Sequence, residues 1–328
     1  MNIVFATSDL FCKPAMVTIK SILLSNVNVK KINIFYIENG LSEANKMLLK
    51  SMVSGTNCNI EFLQMPSFFN EIKGLLRTNP IAYTYCFLQD ILPSSIDKVL
   101  LIESDTIVVD SLDEFYSIDI DDYYIAATDD LQSKYCKEKL GIDKNSSYFN
   151  SGVMLLNLKK MRTDGVSKNL FELIKKGKSK FLYEVQDEMN VFYEHKVKII
   201  PPRFNATTTF FLFDYDDMIK YRWPTTVCSR DEYYEAYAHP TVVHFTKNQI
   251  IQPRPWIENC SHPYARFYEE VKNQTPAKDC QLWISKRSVI SNIVYFIYSK
   301  ISHSLVARTL GVVHAYLYPK FLYKYILR

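Results

Sequence analysis

The chain has 328 residues, 48% hydrophobic and 23% charged, enough to bury a sizeable core in one large domain or two smaller ones. Its net charge of +4 hides an asymmetry. No acidic residue follows Asp279 and seven basic ones (Lys286, Arg287, Lys300, Arg308, Lys320, Lys324, Arg328) crowd residues 286–328, so the rest is slightly acidic and a chain-wide nucleic-acid surface is excluded. Seven scattered cysteines, none in a C-x-x-C pair, argue against a zinc cluster or disulfide framework and fit reduced thiols in the cytoplasm.

Residues 2–6 read as a short buried strand, without the basic region and long apolar core of a secretory signal. Met16, Ile19, Ile22 and Leu23 follow at helical spacing, with Pro14 in a first-turn position. Ile32 to Ile37 is a second strand, Leu41 to Val53 a helix ending near Gly55, and Asn59 to Leu63 a third strand. Ala82 to Ile91 reads as a helix stopped by Pro93, and Val99 to Ile102 as a fourth strand. This alternation implies right-handed crossovers and a mostly parallel sheet. No uncharged apolar run reaches the roughly 18 residues of a membrane span.

The fourth strand runs straight into Glu103-Ser104-Asp105, an odd end for a buried strand. Ligands of open α/β sheets bind beyond the carboxyl ends of the strands. If the chain stays extended there, the two carboxylates face one side and invite a hard divalent cation such as Mn²⁺ or Mg²⁺. A solvated loop beginning at Glu103 is the alternative that spacing alone leaves open. His244 ends the strand pattern Thr241-Val242-Val243, and imidazole is a common ligand for Mn-like ions, though taken alone a histidine ending a strand is more often structural.

Four stretches together carry a resemblance over roughly residues 1–270: "NIVFATSD" (2–9), "VLLIESDTIVVDSL" (99–112), "YFNSGVMLLNLKKMR" (148–162) and "VVHFTKNQIIQPRPW" (242–256), with "RFNA" (203–206) adding weaker support. The chain resembles the retaining glycosyltransferases of family eight, which include bacterial lipooligosaccharide galactosyltransferases. The resemblance implies a Rossmann-like nucleotide-sugar domain of GT-A type, α/β with a mostly parallel sheet, followed by a helical C-terminal tail. It implies Mn²⁺ (or Mg²⁺) held by Glu103, Asp105 and His244, and a UDP-sugar as donor. Ala6, Ser8, Asp9, Ser104, Asn150, Lys247 and Arg254 fall at donor-contacting positions, and Asp130, Gln186 and Asp187 at catalytic ones. Against the family pattern, Glu103 replaces an Asp, Phe87 an Arg near the diphosphate, Val185 the leading Asp of an Asp-Gln-Asp run, Ser8 an Asp, and Lys247 a Gly.

The expected reaction transfers a hexose with retention to a saccharide or lipid-linked acceptor in cell-surface polysaccharide or lipooligosaccharide synthesis. A non-catalytic nucleotide-sugar-binding relative is the alternative, motivated by those departures, and an inverting enzyme on a similar fold is a third reading. Residues 1–280 are expected to form the catalytic domain and 281–328 a separate tail. In that tail Ile293, Ile297, Ile301 and Leu305 recur four apart among aromatic and basic residues. This suits an element lying on an anionic membrane face, placing the protein on the inner face of the cell membrane; a helix packed on the core is the alternative.

Overall fold

Two sheets organise the computed structural model, which describes residues 1–72, 80–176, 183–248, 250–285 and 288–322. In chain order the strands are β1 (Asn2–Thr7), β2 (Ile32–Glu38), β3 (Cys58–Gln64), β4 (Lys98–Ile102), β5 (Thr106–Val108), β6 (Ile125–Asp129), β7 (Phe149–Asn157), β8 (Val197–Ile199), β9 (Ala206–Thr207) and β10 (Val242–His244). Seven form a sheet ordered β3-β2-β1-β4-β7-β6-β8, and three a small sheet ordered β5-β10-β9. In the large sheet every pairing is parallel except those of β7, which runs against both neighbours. This is the mostly parallel α/β architecture expected. Helices cover both faces, which is why β1, β2 and β4 read as continuous apolar runs rather than alternating ones. All nine residues of β7 are buried, so it forms the spine of two core clusters, one on each face.

The expected early elements form with small changes of boundary. The helix expected from Leu41 begins at Glu43, because the Ser42 side chain caps it by accepting from the Asn45 amide. Leu41 stays outside and donates its amide to the Glu38 carboxylate. The Ala82–Ile91 helix differs more: Pro80–Phe87 is a 3₁₀ helix, and only Leu88–Ile91 is α-helical. Tyr83 to Phe87 are all buried, so no polar face marks a 3.6-residue period there. Phe87 packs against Phe68, Phe69 and Phe171 in the core and is 2% exposed. Position 87 therefore serves packing, while its neighbour Tyr85 reaches the cleft described below.

The tail divides within its run of fourfold spacing. Val289–Lys300 is helical with no buried residue, the chain breaks at Ile301-Ser302, and His303–Gly311 resumes and continues as a π-type helix, Val312–Leu322. The second half packs on the helix Tyr215–Arg222 and buries Val306, Ala307 and Ala315. The alternative of a helix packed on the core thus holds for the second half, while the first half is exposed. The basic residues Lys286, Arg287, Lys324 and Arg328 lie outside the described residues. Among the described residues no helix is long and apolar enough to cross a membrane.

Candidate active site

The turn Glu103-Ser104-Asp105 leads from β4 of the large sheet into β5 of the small one. An extended chain was expected here, and the chain turns instead. Backbone bonds set the turn: Glu103 N–H donates to the Gly152 carbonyl (2.9 Å) and Phe245 N–H to the Asp105 carbonyl (2.9 Å). Thr106 Oγ1 donates to the Glu103 carbonyl at 2.8 Å, and Thr18 Oγ1 bridges the Ser104 and Thr106 carbonyls. The convergence of the two carboxylates therefore comes from the join between sheets, not from strand alternation.

Strand pairing delivers the third side chain. β10 runs antiparallel to β5 with His244 opposite Thr106, the residue after Asp105. His244 Nε2 lies 3.3 Å from Asp105 Oδ1 and 3.4 Å from Glu103 Oε2. One ligand atom from each of the three residues lies within 4.8 Å of the others. Two carboxylates and an imidazole form a donor set that suits a Mn-like cation. The pocket around them is shaped for it: a Cβ built on Gly152 would meet His244 Cε1 at 2.3 Å and Glu103 Oε2 at 2.5 Å. Gly152 makes room for two side chains of the triad.

The metal-free electrostatics are those of a caged charge. Burial disfavours the His244 cation, yet Asp105 and Glu103 outweigh it and push the imidazole up to about 10. Burial likewise opposes charge on Asp105, and His244 then Arg254 hold it below the usual carboxylate range. His244 Nδ1 donates to Asn205 Oδ1 at 3.0 Å, which leaves Nε2 as the atom facing the carboxylates. Asn205 stands just before β9, whose Thr207 pairs with His244, so the same small sheet also orients the ring.

A hydrogen-bonded chain runs on from this group. Asn205 Nδ2 donates to Asn150 Oδ1 (2.9 Å), which also accepts from the Gly152 amide (3.0 Å). Asn150 Nδ2 points at Asp130 Oδ1 (3.4 Å), and Asp130 Oδ2 accepts from Gln132 (2.9 Å) and Gln186 (3.2 Å). Gln186 Oε1 accepts from the Ser151 amide at 3.1 Å. Asp130, Gln132, Asn150, Ser151 and Gln186 line one cleft of about 450 Å³ with the triad, Tyr85, Arg222 and Lys247, within the usual size of small-molecule sites.

Of the sequence-derived candidates, the structure gathers Glu103, Asp105, His244, Asp130, Asn150, Gln186 and Lys247 in that cleft. Ala6 and Ser8 stand at the carboxyl end of β1 beside β4, and Ser104 lies in the turn itself. Arg254 pairs with Asp105, Nη2 to Oδ2 at 3.1 Å, and with Lys247 lines an adjoining cavity. Like Ala6, Ser8, Ser104 and Arg254, Asp9 and Asp187 do not line the cleft. Asp9 is exposed and accepts from the Ser42 amide (2.9 Å) and the Asn45 side chain (2.7 Å). Asp187 is wholly buried, accepting from the Tyr148 hydroxyl and the Tyr183 amide. Sequence reading missed the orienting role of Asn205, whose only signal was the "RFNA" stretch, and missed Arg222, which reads as an ordinary basic helix end.

The chain matches Glycosyl transferase family 8 over residues 2–260. It is 24% identical over 272 residues to General stress protein A of Bacillus subtilis (strain 168), covering 82% of this chain and 91% of that protein. It is 25% identical over 283 residues to Lipopolysaccharide 1,2-glucosyltransferase of Escherichia coli, covering 84% and 78%. Among solved structures it superposes on galactosyltransferase LgtC in complex with donor and acceptor sugar analogues, with a TM-score of 0.69, 27% identity, and coverage of 84% of this chain and 96% of that one. With a family match over most of its length and the fold of a solved galactosyltransferase, the chain belongs to glycosyl transferase family 8 and is a glycosyltransferase.

Proposed function

We propose that this enzyme is a metal-dependent retaining hexosyltransferase that moves a sugar from a UDP-sugar to a saccharide or lipid-linked acceptor of the cell surface. The observation that carries the reading is the meeting of Glu103, Asp105 and His244 at the rim of a cleft whose other wall is hydrogen-bonding side chains. Glu103, Asp105 and His244 would hold Mn²⁺ or Mg²⁺, which as a Lewis acid supplies positive charge against the diphosphate leaving group. Lys247 and Arg254 add cationic charge on the same side.

Asp130, Asn150 and Gln186 present oriented donors and acceptors to sugar hydroxyls. Gln186 is an amide and a poor nucleophile, which favours attack by the acceptor from the leaving-group face over a covalent intermediate of the glycosidase kind. Asp130 then positions the sugar through its hydroxyls and does not attack. We assign Asp187 to holding Tyr148 and the 183 amide beneath the cleft. The test is release of UDP from UDP-glucose and UDP-galactose with Mn²⁺. Turnover that a chelator abolishes and Mn²⁺ restores is expected, with a product of the donor's anomeric configuration by NMR. Full turnover in chelator, or an inverted product, removes the reading.

The first tail helix supports peripheral membrane association. Ile290, Ile293 and Phe296 are 74%, 53% and 63% exposed, and described basic residues Lys300, Arg308 and Lys320 follow. Apolar side chains with nearby cations suit an anionic bilayer surface. Cutting the chain near residue 280 would strip Val306, Ala307 and Ala315 from the core, so point variants are the cleaner test. The triple variant I290E/I293E/F296E is expected to lose co-sedimentation with anionic liposomes while keeping UDP release; equal sedimentation of variant and wild type sinks the idea.

A further inference from the structure

Arg222 ends the helix Tyr215–Arg222, nine-tenths buried in the wall of the cleft. Its Nη2 lies 3.3 Å from Asp130 Oδ2 and also donates to the Asp130 carbonyl oxygen. Its Nη1 lies 3.0 Å from His314 Nε2, in the tail. A guanidinium can only donate, so His314 Nε2 is the acceptor and the ring is neutral. Burial, reinforced by Arg222, pushes His314 down to about 3, which keeps it neutral in ordinary buffers. For Arg222 burial opposes the charge, and Asp130 together with Tyr183, Tyr221 and Cys136 more than offsets it.

His314 is held by the way the tail docks. Its ring stands edge-on to Tyr221 at 4.9 Å, and the Ser133 hydroxyl donates to the Ala315 carbonyl at 2.6 Å. Gly311 lies so close to the helix below that a Cβ there would meet the Lys220 carbonyl oxygen at 2.1 Å. Lys220 Nζ reaches back to Ser304 Oγ at 2.8 Å. The register of the tail on the helix is thereby set within a narrow range, and with it the place of the imidazole.

We propose that the docked segment 303–322 completes the sugar-binding half of the cleft, with His314 holding Arg222 and Arg222 holding Asp130 in the orientation that receives the donor sugar. The inference rests on Asp130 being a sugar-binding residue, as proposed above. Arg222 and His314 are positioning residues in this scheme. Without its acceptor the guanidinium loses one of the partners that fix its plane, and it turns from Asp130. Asp130 is then a largely buried carboxylate stripped of its countercharge, free to be drawn toward other donors. In this scheme Asp130 meets the sugar and not the UDP, so the effect is confined to the sugar.

The test compares UDP, UDP-glucose and UDP-galactose on the full chain with Mn²⁺, by calorimetry and by UDP release. His314→Leu is expected to raise KM for the better of the two sugar donors about tenfold, the size of one hydrogen bond to a charged group, with kcat and UDP affinity within twofold. His314→Gln, which keeps an acceptor oxygen, is expected to recover most of the loss. Gly311→Leu, which undocks the segment without touching His314, is expected to reproduce it. Combined with Asp130→Asn, His314→Leu is expected to cost little more than Asp130→Asn alone, as residues acting through one group do. An unchanged KM in both His314→Leu and Gly311→Leu overturns the proposal, as does an equal loss of UDP and UDP-sugar affinity. Failure of the donor reading itself shows separately, as metal-independent or absent UDP binding by the wild type.

Discussion

Replacing Glu103 and Asp105 together by alanine is expected to lower Mn²⁺-dependent UDP release by roughly a thousandfold, since a Lewis acid at a departing diphosphate contributes several kcal/mol and each 1.36 kcal/mol is tenfold. The geometry makes these two residues inseparable: both face His244 Nε2, at 3.3 and 3.4 Å. Either alone leaves a partial site, while removing both leaves only the imidazole. The same geometry gives a pH signature. With the His244 imidazole raised to about 10, a metal must displace a proton from Nε2 at neutral pH. Protons compete with the metal below that pKa, so Mn²⁺ affinity should rise with pH between 6 and 8, by up to about tenfold per unit. Calorimetry in buffers of different ionisation enthalpy should register the released proton. Undiminished turnover in the double variant, or Mn²⁺ affinity indifferent to pH, would remove the triad from the mechanism.

Gly152→Ala, a single methyl group, is expected to cost about a hundredfold in Mn²⁺ affinity, the upper range for disturbing the shell that orients a metal's ligands. The added carbon meets His244 Cε1 and Glu103 Oε2 at distances no packed atoms tolerate. His244 cannot yield easily, because it is buried and tied to Asn205. Glu103 is the freer of the two, with its side chain 29% exposed, so it is the ligand expected to swing away. Overpacking of this kind costs about 1–3 kcal/mol of stability, so the variant should still fold, with a lowered melting temperature. Metal titration and thermal unfolding on the same sample separate the two effects. Wild-type Mn²⁺ affinity in the alanine variant would mean that the cradle is looser than its geometry says.

Much of the scaffold was legible because its signals are local. Apolar runs bounded by helical spacing placed β1 to β4 within two residues, since a parallel sheet covered on both faces demands continuous burial. Glu103 and Asp105 stood out for the same reason, as charges where a buried strand ends. The 3₁₀ segment Pro80–Phe87 was not legible, because a stretch buried on all sides carries no periodicity to read. Phe87 illustrates the limit: compared position by position it looked like a lost charge in the donor site, and in the fold it is a core aromatic.

Taken alone, then, the order of residues determined the α/β layering, the acidic strand end and the composition of the tail, all properties of neighbours along the chain. Tertiary structure decided the rest, because it depends on pairings between distant segments. The register of β5 against β10 brought His244 to Asp105 across more than a hundred residues, and the crossing of Gly152 past both made room for them. Docking of the tail placed His314 on Arg222 and Arg222 on Asp130, a contact that no spacing along the chain encodes.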